Sequence, residues 1–242
     1  DAISYNGELI IGSTNMGGAE IFKLEGGKLT RKAVIKSPEA QFTGGSDFYN
    51  LVFNEENSKL YVYLVNGRYL YKYNITDLSS PALVKKEKDN LWDWFSDINK
   101  VGDKIATIGA KGVKVWNNNL EIINSFKPLN SYYHNIQISK DGKLILNIDK
   151  SILKVINAET RGVAREIDLN IKEEHYRKIF IDEKDKTFYV IDDREFAKYN
   201  LEGQFIKRFK HISNFGYDAD GIGGKKYVYF SDGIGVVKMD GD

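Results

Sequence analysis

Residues Lys178–Phe209 read KIFIDEKDKTFYVIDDREFAKYNLEGQFIKRF, and this stretch decides the fold. It divides into four short runs rich in Ile, Val, Phe and Tyr: Lys178–Asp182, Thr187–Ile191, Glu195–Tyr199 and Gln204–Phe209. The segments between them, Glu183–Lys186, Asp192–Arg194 and Glu202–Gly203, are polar and carry the Asp and Gly that tight turns favour. The pattern predicts four antiparallel strands joined by hairpins. A lone sheet of this kind cannot bury both of its apolar faces, so further copies should stack against it.

The copies are present. The second run recurs as Glu8–Gly12, Lys59–Leu64, Lys104–Ile108, Lys143–Ile148 and Lys226–Phe230. Turn residues precede each: Asn6–Gly7, Asn57–Ser58, Gly102–Asp103, Asp141–Gly142 and Gly223–Gly224, with Asp185 and Lys186 serving in the quoted stretch. The third run follows as Ala19–Leu24, Arg68–Tyr73, Gly112–Trp116, Ser151–Ile156 and Gly235–Met239. Starts roughly 40 to 50 residues apart suit four-stranded propeller blades. The expected fold is all-β, a six-bladed β-propeller in one domain spanning 1–242, with approximate blades 1–36, 37–88, 89–128, 129–170, 171–211 and 212–242. The last blade lacks a candidate outer strand, which predicts a completing strand or a further domain beyond Asp242.

Several classes are excluded by what the chain lacks. Connections between strands leave no room for the crossover helices that a parallel α/β sheet requires. No apolar run approaches 18 residues and mean hydropathy is −0.42, which argues against membrane insertion. Thirty-five basic residues balance thirty-four acidic ones, without a continuous basic stripe, so nucleic acid is not an expected partner. There is no cysteine, hence no disulfide, thiolate nucleophile or cysteine-ligated metal. An Asn74–Ile75–Thr76 sequon falls at a turn after a third strand; it reads as a chance occurrence and would matter only in a glycosylating secretory pathway.

Propellers usually bind ligands where loops lead into the innermost strands. Aligning the repeats places Tyr49, Trp94, His134, Arg177 and Phe215 before those strands, with Asn50, Asp93, Tyr133, His175 and Tyr217 close by. The result is an aromatic mouth with scattered His, Arg and Asp, suited to stacking on and hydrogen bonding to a peptide, protein or glycan. Tyr49, Trp94, His134, Arg177 and Tyr217 are the predicted ligand-binding residues. Trp116, by contrast, reads as core between blades.

Catalysis has little support. Only His134, His175 and His211 carry imidazoles, and they occupy different blade positions. Asp47, Asp93, Asp97, Asp218 and Asp220 could approach a channel, but a glycosidase-type pair needs a separation that sequence does not fix. Asp218–Gly221 lacks the further oxygen ligands of a calcium loop and reads as a turn. No phosphate-binding loop, dinucleotide fingerprint or nucleophile elbow occurs. No cofactor is expected.

Ile181–Asp182, Val190–Asp192 and Tyr199–Gly203 resemble the repeats of six-bladed propellers of the NHL/YWTD-like type and related bacterial secreted propellers. Ile138–Gly142 and Tyr227–Asp232 match more loosely. The resemblance implies a binding module that is secreted, periplasmic or at the cell surface. It also implies an alternative, a channel-sited hydrolase or lactonase-like enzyme, since some such enzymes hold calcium with channel Glu, Asp and Asn. Those ligands have no residue-by-residue match here.

Overall fold

The computed structural model describes residues 2–6, 8–14, 18–36, 38, 50–66, 69–88, 95–109, 112–126, 135–149, 151–169, 178–182, 185–191, 195–210, 217–222, 225–230 and 236–238. The chain divides into two compact units, Asp1–Tyr132 and Tyr133–Asp242, each treated by itself.

The first unit holds three antiparallel sheets of four strands: β1–β4 (Ala2–Tyr5, Leu9–Thr14, Gly18–Glu25, Lys28–Lys36), β5–β8 (Asn50–Glu56, Lys59–Asn66, Tyr69–Asn74, Ala82–Lys88) and β9–β12 (Phe95–Val101, Lys104–Gly109, Gly112–Asn117, Ile122–Phe126). The second unit holds β13–β16 (Asn135–Ile138, Leu144–Asp149, Ile152–Asn157, Gly162–Asp168) and β17–β20 (Lys178–Asp182, Thr187–Ile191, Glu195–Asn200, Phe205–Lys210). Its last sheet has three strands among the described residues, β21–β23 (Tyr217–Ile222, Lys225–Phe230, Val236–Lys238). Every sheet runs in chain order, so the architecture is a propeller-like repeat of antiparallel sheets.

Face-to-face packing explains why the second strands are apolar on both sides. Successive side chains of a strand point to opposite faces. From β6, Val62 and Leu64 join Ile11, Ala19, Ile21 and Ile35 of the first sheet in one core. The alternate residues Tyr63 and Val65 join Ile98, Ile105 and Trp116 of the third sheet in another. The β5–β8 sheet is therefore buried on both faces, and Trp116, 2% exposed, packs between sheets as expected. In the second unit, Leu146, Ile148 and Leu153 meet Phe188, Val190 and Tyr199 in the same manner. Each fully buried aliphatic side chain contributes about 1.5–3 kcal/mol.

One irregularity recurs in all five complete sheets. The pairing of third and fourth strands shifts register between Ile21 and Phe22, Lys72 and Tyr73, Val115 and Trp116, Val155 and Ile156, and Lys198 and Tyr199. The unpaired extra residue lies on the outer strand each time: Lys32, Val84, Ile123, Ala164 and Ile206. A bulge bends and twists a strand, and at a sheet edge it discourages pairing with another chain.

An asparagine follows the bulge in four of the five, at Asn74, Asn117, Asn157 and Asn200, where it ends the third strand. Each side-chain oxygen accepts backbone N–H groups of the turn that follows: Thr76 at 2.9 Å, Asn119 at 2.9 Å, Glu159 at 2.8 Å and Gln204 at 2.7 Å respectively. The Asn74 sequon is thus one instance of a repeated turn device, with Thr76 Oγ1 accepting the Leu60 N–H at 2.9 Å. Read from the sequence alone, the outer strand of the third sheet runs Leu120–Phe126, after the Asn117–Asn119 turn; the structure corrects its start to Ile122. Leu120 sits in the turn at φ 57° with its side chain buried, so core packing holds an unfavourable backbone.

Candidate functional site

The first strands are where a shared site would be built. Within the first unit β1 touches β5 and β5 touches β9; within the second β13 touches β17 and β17 touches β21. Neighbouring sheets therefore bring their first strands together, as the repeat alignment requires.

Of the predicted ligand-binding residues, Tyr49, Trp94, His134 and Arg177 lie outside the described residues. Tyr217 opens β21 and pairs in register with Phe230; its side chain is outside the description. Phe215, Asp47, Asp93, Tyr132, Tyr133, His175 and His211 also lie outside it.

What the structure does bring together is Asn50 and Asp97. Asn50 is the first residue of β5 and directly follows Tyr49; Asp97 lies in β9, three residues after Trp94. Asn50 Nδ2 donates to Asp97 Oδ1 at 2.5 Å, tying one first strand to the next. The same oxygen accepts the Ile98 backbone N–H at 2.9 Å. Asp97 is 5% exposed, so its charge depends on these donors. A register shift places Asp97 opposite Ile108 and Phe95 opposite Gly109, leaving Ser96 as an extra residue. Such a bulge re-aims the residue beside it.

A second polar cluster lies between the β5–β8 and β9–β12 sheets. Lys72 in β7 is 5% exposed; its Nζ is 3.2 Å from Glu56 and donates to the Asn118 carbonyl at 2.9 Å. The Tyr61 ring centre is 4.2 Å from that ammonium, and the Tyr63 hydroxyl donates to the same carbonyl at 3.1 Å. Burial raises the Tyr63 phenol well above its usual range. Burial also lowers the Lys100 ammonium to about 8, with Lys72 adding repulsion and Asp103 and Glu56 opposing the shift. Lys100 Nζ donates to the Gly102 carbonyl. Two buried amide atoms in this cluster, Asn54 Nδ2 and Asn118 Oδ1, have no hydrogen-bond partner.

The corresponding position of the β17–β20 sheet carries the same device. Lys198 lies 5.3 Å from the Tyr189 ring centre and 3.7 Å from Asp185, which like Glu56 flanks the hairpin between first and second strands.

Among the described residues, no group of three or more His, Asp or Glu side chains could hold a metal ion. Asp97 is the one carboxylate of the predicted channel set whose side chain is described, and it is occupied by structural donors. No described helix is long and apolar enough to cross a membrane. Aromatic side chains are plentiful, with Tyr5 5.4 Å from Phe53 and Tyr69 5.9 Å from Tyr71 between ring centres. These aromatic side chains pack in or against the core of the first unit, Tyr71 being fully buried.

The Asn50–Asp97 clasp joins residues 47 apart, and only the repeat alignment signals it, by placing both at first strands. The Lys72 cluster was open to a simpler reading: Lys72 and Lys198 both fall between apolar residues of strongly apolar third strands. No protein-family model matches this sequence, and no curated protein does.

Proposed function

We propose that the chain is a six-bladed propeller acting as a non-enzymatic recognition or scaffold module, secreted, periplasmic or displayed at the cell surface. Its ligand is a protein, peptide or glycan held at a mouth built by Tyr49, Trp94, His134, Arg177 and Tyr217. The aromatic residues supply stacking faces, His134 a hydrogen bond, and Arg177 a contact to carboxylate or sugar hydroxyls.

The observation that carries this reading is the Asn50–Asp97 hydrogen bond. It fixes the starts of two neighbouring first strands just where the chain arrives from Tyr49 and Trp94. Binding groups attached to rigid strands lose less freedom on capturing a ligand. Asp97 is thereby a positioning residue, buried and already hydrogen-bonded, rather than a base poised for chemistry.

Glycan and peptide arrays probed with the intact protein test the reading, with Trp94→Ala and Arg177→Ala as controls. The expected result is one ligand class bound by the native protein and lost in both variants. Binding that survives both substitutions unchanged rejects the mouth.

A further inference from the structure

The polar cluster between the β5–β8 and β9–β12 sheets is unbalanced in both charge and hydrogen bonding. Lys100 of β9 pairs across the strands with Ile105, which shares a core with Tyr63 and Val65 of β6. Directly paired residues occupy one face of a sheet, so Lys100 lies on the face that meets the β5–β8 sheet. Asn54 lies two residues from Val52 in β5, on the face that packs against the same core. The strands that carry them, β5 and β9, touch.

The charged groups on this side are Glu56, Lys72, Lys85 and Glu87 of the β5–β8 sheet, with Lys114 and the turn residue Asp103 of the other. Lys85 and Glu87 pair with each other at 3.1 Å, and Lys72 takes Glu56 at 3.2 Å. Lys100 donates to a carbonyl, that of Gly102, and the acid next to it, Asp103, is exposed. Two buried amide atoms are also left over: Asn54 Nδ2 is a donor without an acceptor, and Asn118 Oδ1 an acceptor without a donor. Lys72 keeps a third N–H beyond those given to Glu56 and the Asn118 carbonyl.

We propose that Lys100 Nζ reversibly takes up carbon dioxide as a carbamate, its charge met by Lys72 and its hydrogen bonds by Asn54 and Asn118. Unprotonated nitrogen attacks the carbon of CO2. The N–C bond forms as one C=O electron pair moves onto oxygen, and the nitrogen passes one proton to water. Burial supplies the unprotonated amine: with a pKa of about 8, about a quarter of Lys100 is neutral at pH 7.5, against about one in a thousand for an ordinary lysine. The product carries one N–H and two oxygens that share a negative charge. Its N–H donates to Asn118 Oδ1, and its oxygens accept from Asn54 Nδ2 and Lys72. Gly102, which is exposed, leaves its carbonyl to water. A water molecule satisfies both amides but brings no charge, and a chloride ion offers no N–H to Asn118. The site lies between two sheets of the first unit and does not rest on the proposed mouth.

Chemical trapping tests this. The full chain is equilibrated at pH 7.5 with carbon-13 bicarbonate and its dissolved CO2, then treated with triethyloxonium ion, which converts a carbamate to a stable ethyl ester. Mass spectrometry of the peptides should find the labelled ester on Lys100 at about tenfold or more the level on Lys28, an exposed hairpin lysine. The label should disappear in Lys100→Arg and fall several-fold in each of Lys72→Met and Asn54→Leu, with circular dichroism confirming that the variants are folded. At matched pH and ionic strength, CO2 should also raise the urea midpoint of the native protein and leave that of Lys100→Arg unchanged. Four results overturn the proposal: no label on Lys100, equal label on Lys28, label undiminished in both Lys72→Met and Asn54→Leu, or label that survives purging with argon before trapping.

Discussion

Lys72 and Glu56 form an ion pair, 3.2 Å between Nζ and the carboxylate, in which the lysine is buried and the glutamate is not: their side chains are 7% and 31% exposed. The Tyr61 ring and the Asn118 carbonyl complete the ammonium's surroundings. The pair is asymmetric, because water can solvate one partner and not the other.

That asymmetry sets opposite expectations for its two halves. Glu56→Ala strands a buried ammonium and should cost about 2–3 kcal/mol. Lys72→Met keeps the packing volume and leaves a carboxylate that water can reach, so it should stay within about 1 kcal/mol of the native protein. Urea unfolding measures both; equal losses would contradict the assignment.

Asp97 should be more sensitive than an ordinary strand aspartate. Asp97→Ala removes the acceptor for Asn50 and for the Ile98 N–H, and about 2–3 kcal/mol of stability should go with it. Asp97→Asn keeps one oxygen and should lose about half as much. If Asp97→Ala unfolds at the native urea midpoint, the clasp is not holding β5 to β9.

Lys100 gives the chain a pH signature. Its folded-state pKa, about 8, lies below the usual lysine value of 10.5, so the unfolded chain binds more protons between those limits. Stability should therefore rise with pH across that window, by about 1 kcal/mol once solvent screening is allowed for. Below pH 8 both states carry the charge and the penalty is constant. Comparing urea midpoints at pH 7.5 and 9.5 with those of Lys100→Met isolates the effect, which should vanish in the variant.

Gly203 and Gly26 separate backbone strain from collision. Both have positive φ, 84° and 58°. A Cβ on Gly203 would run into Ile167, with Cγ1 at 2.7 Å, whereas one on Gly26 meets nothing within 4 Å. Gly26→Ala should cost about 1 kcal/mol, the conformational term alone. Gly203→Ala should cost about 3 kcal/mol, and Ile167→Ala in the same chain should recover part of it. No recovery would mean that Ile167 is not what the new methyl meets.

Much of this fold was legible because its strands repeat a short grammar. Ala2–Tyr5, Lys178–Asp182 and Thr187–Ile191 fall where apolar runs meet turn residues. Leu120 was misplaced because an apolar residue after three asparagines reads as a strand start, although packing holds it in the turn. The bulges were illegible: Val84 beside Leu83 and Ile123 beside Ile122 break alternation, and two neighbouring apolar residues do not say which one lacks a partner. A clearer mark was overlooked in Tyr73–Asn74, Trp116–Asn117, Ile156–Asn157 and Tyr199–Asn200, an apolar residue and an asparagine closing each third strand. Asn50 and Asp97 were both placed near a channel by alignment, but a hydrogen bond between sheets depends on the Ser96 bulge, which composition does not encode.

The proposed mouth requires the segments leading into the first strands to converge, and electron–electron distance measurement tests that convergence. The chain has no cysteine, so Tyr49→Cys with Arg177→Cys accepts two spin labels and no others. In the proposed six-bladed ring, sheets about 10 Å apart would put opposite positions of the innermost ring about 20 Å apart. A narrow distribution near that value, widened by the label linkers, is the predicted result. A separation beyond about 45 Å would place the two segments on different faces, where no common ligand could reach both.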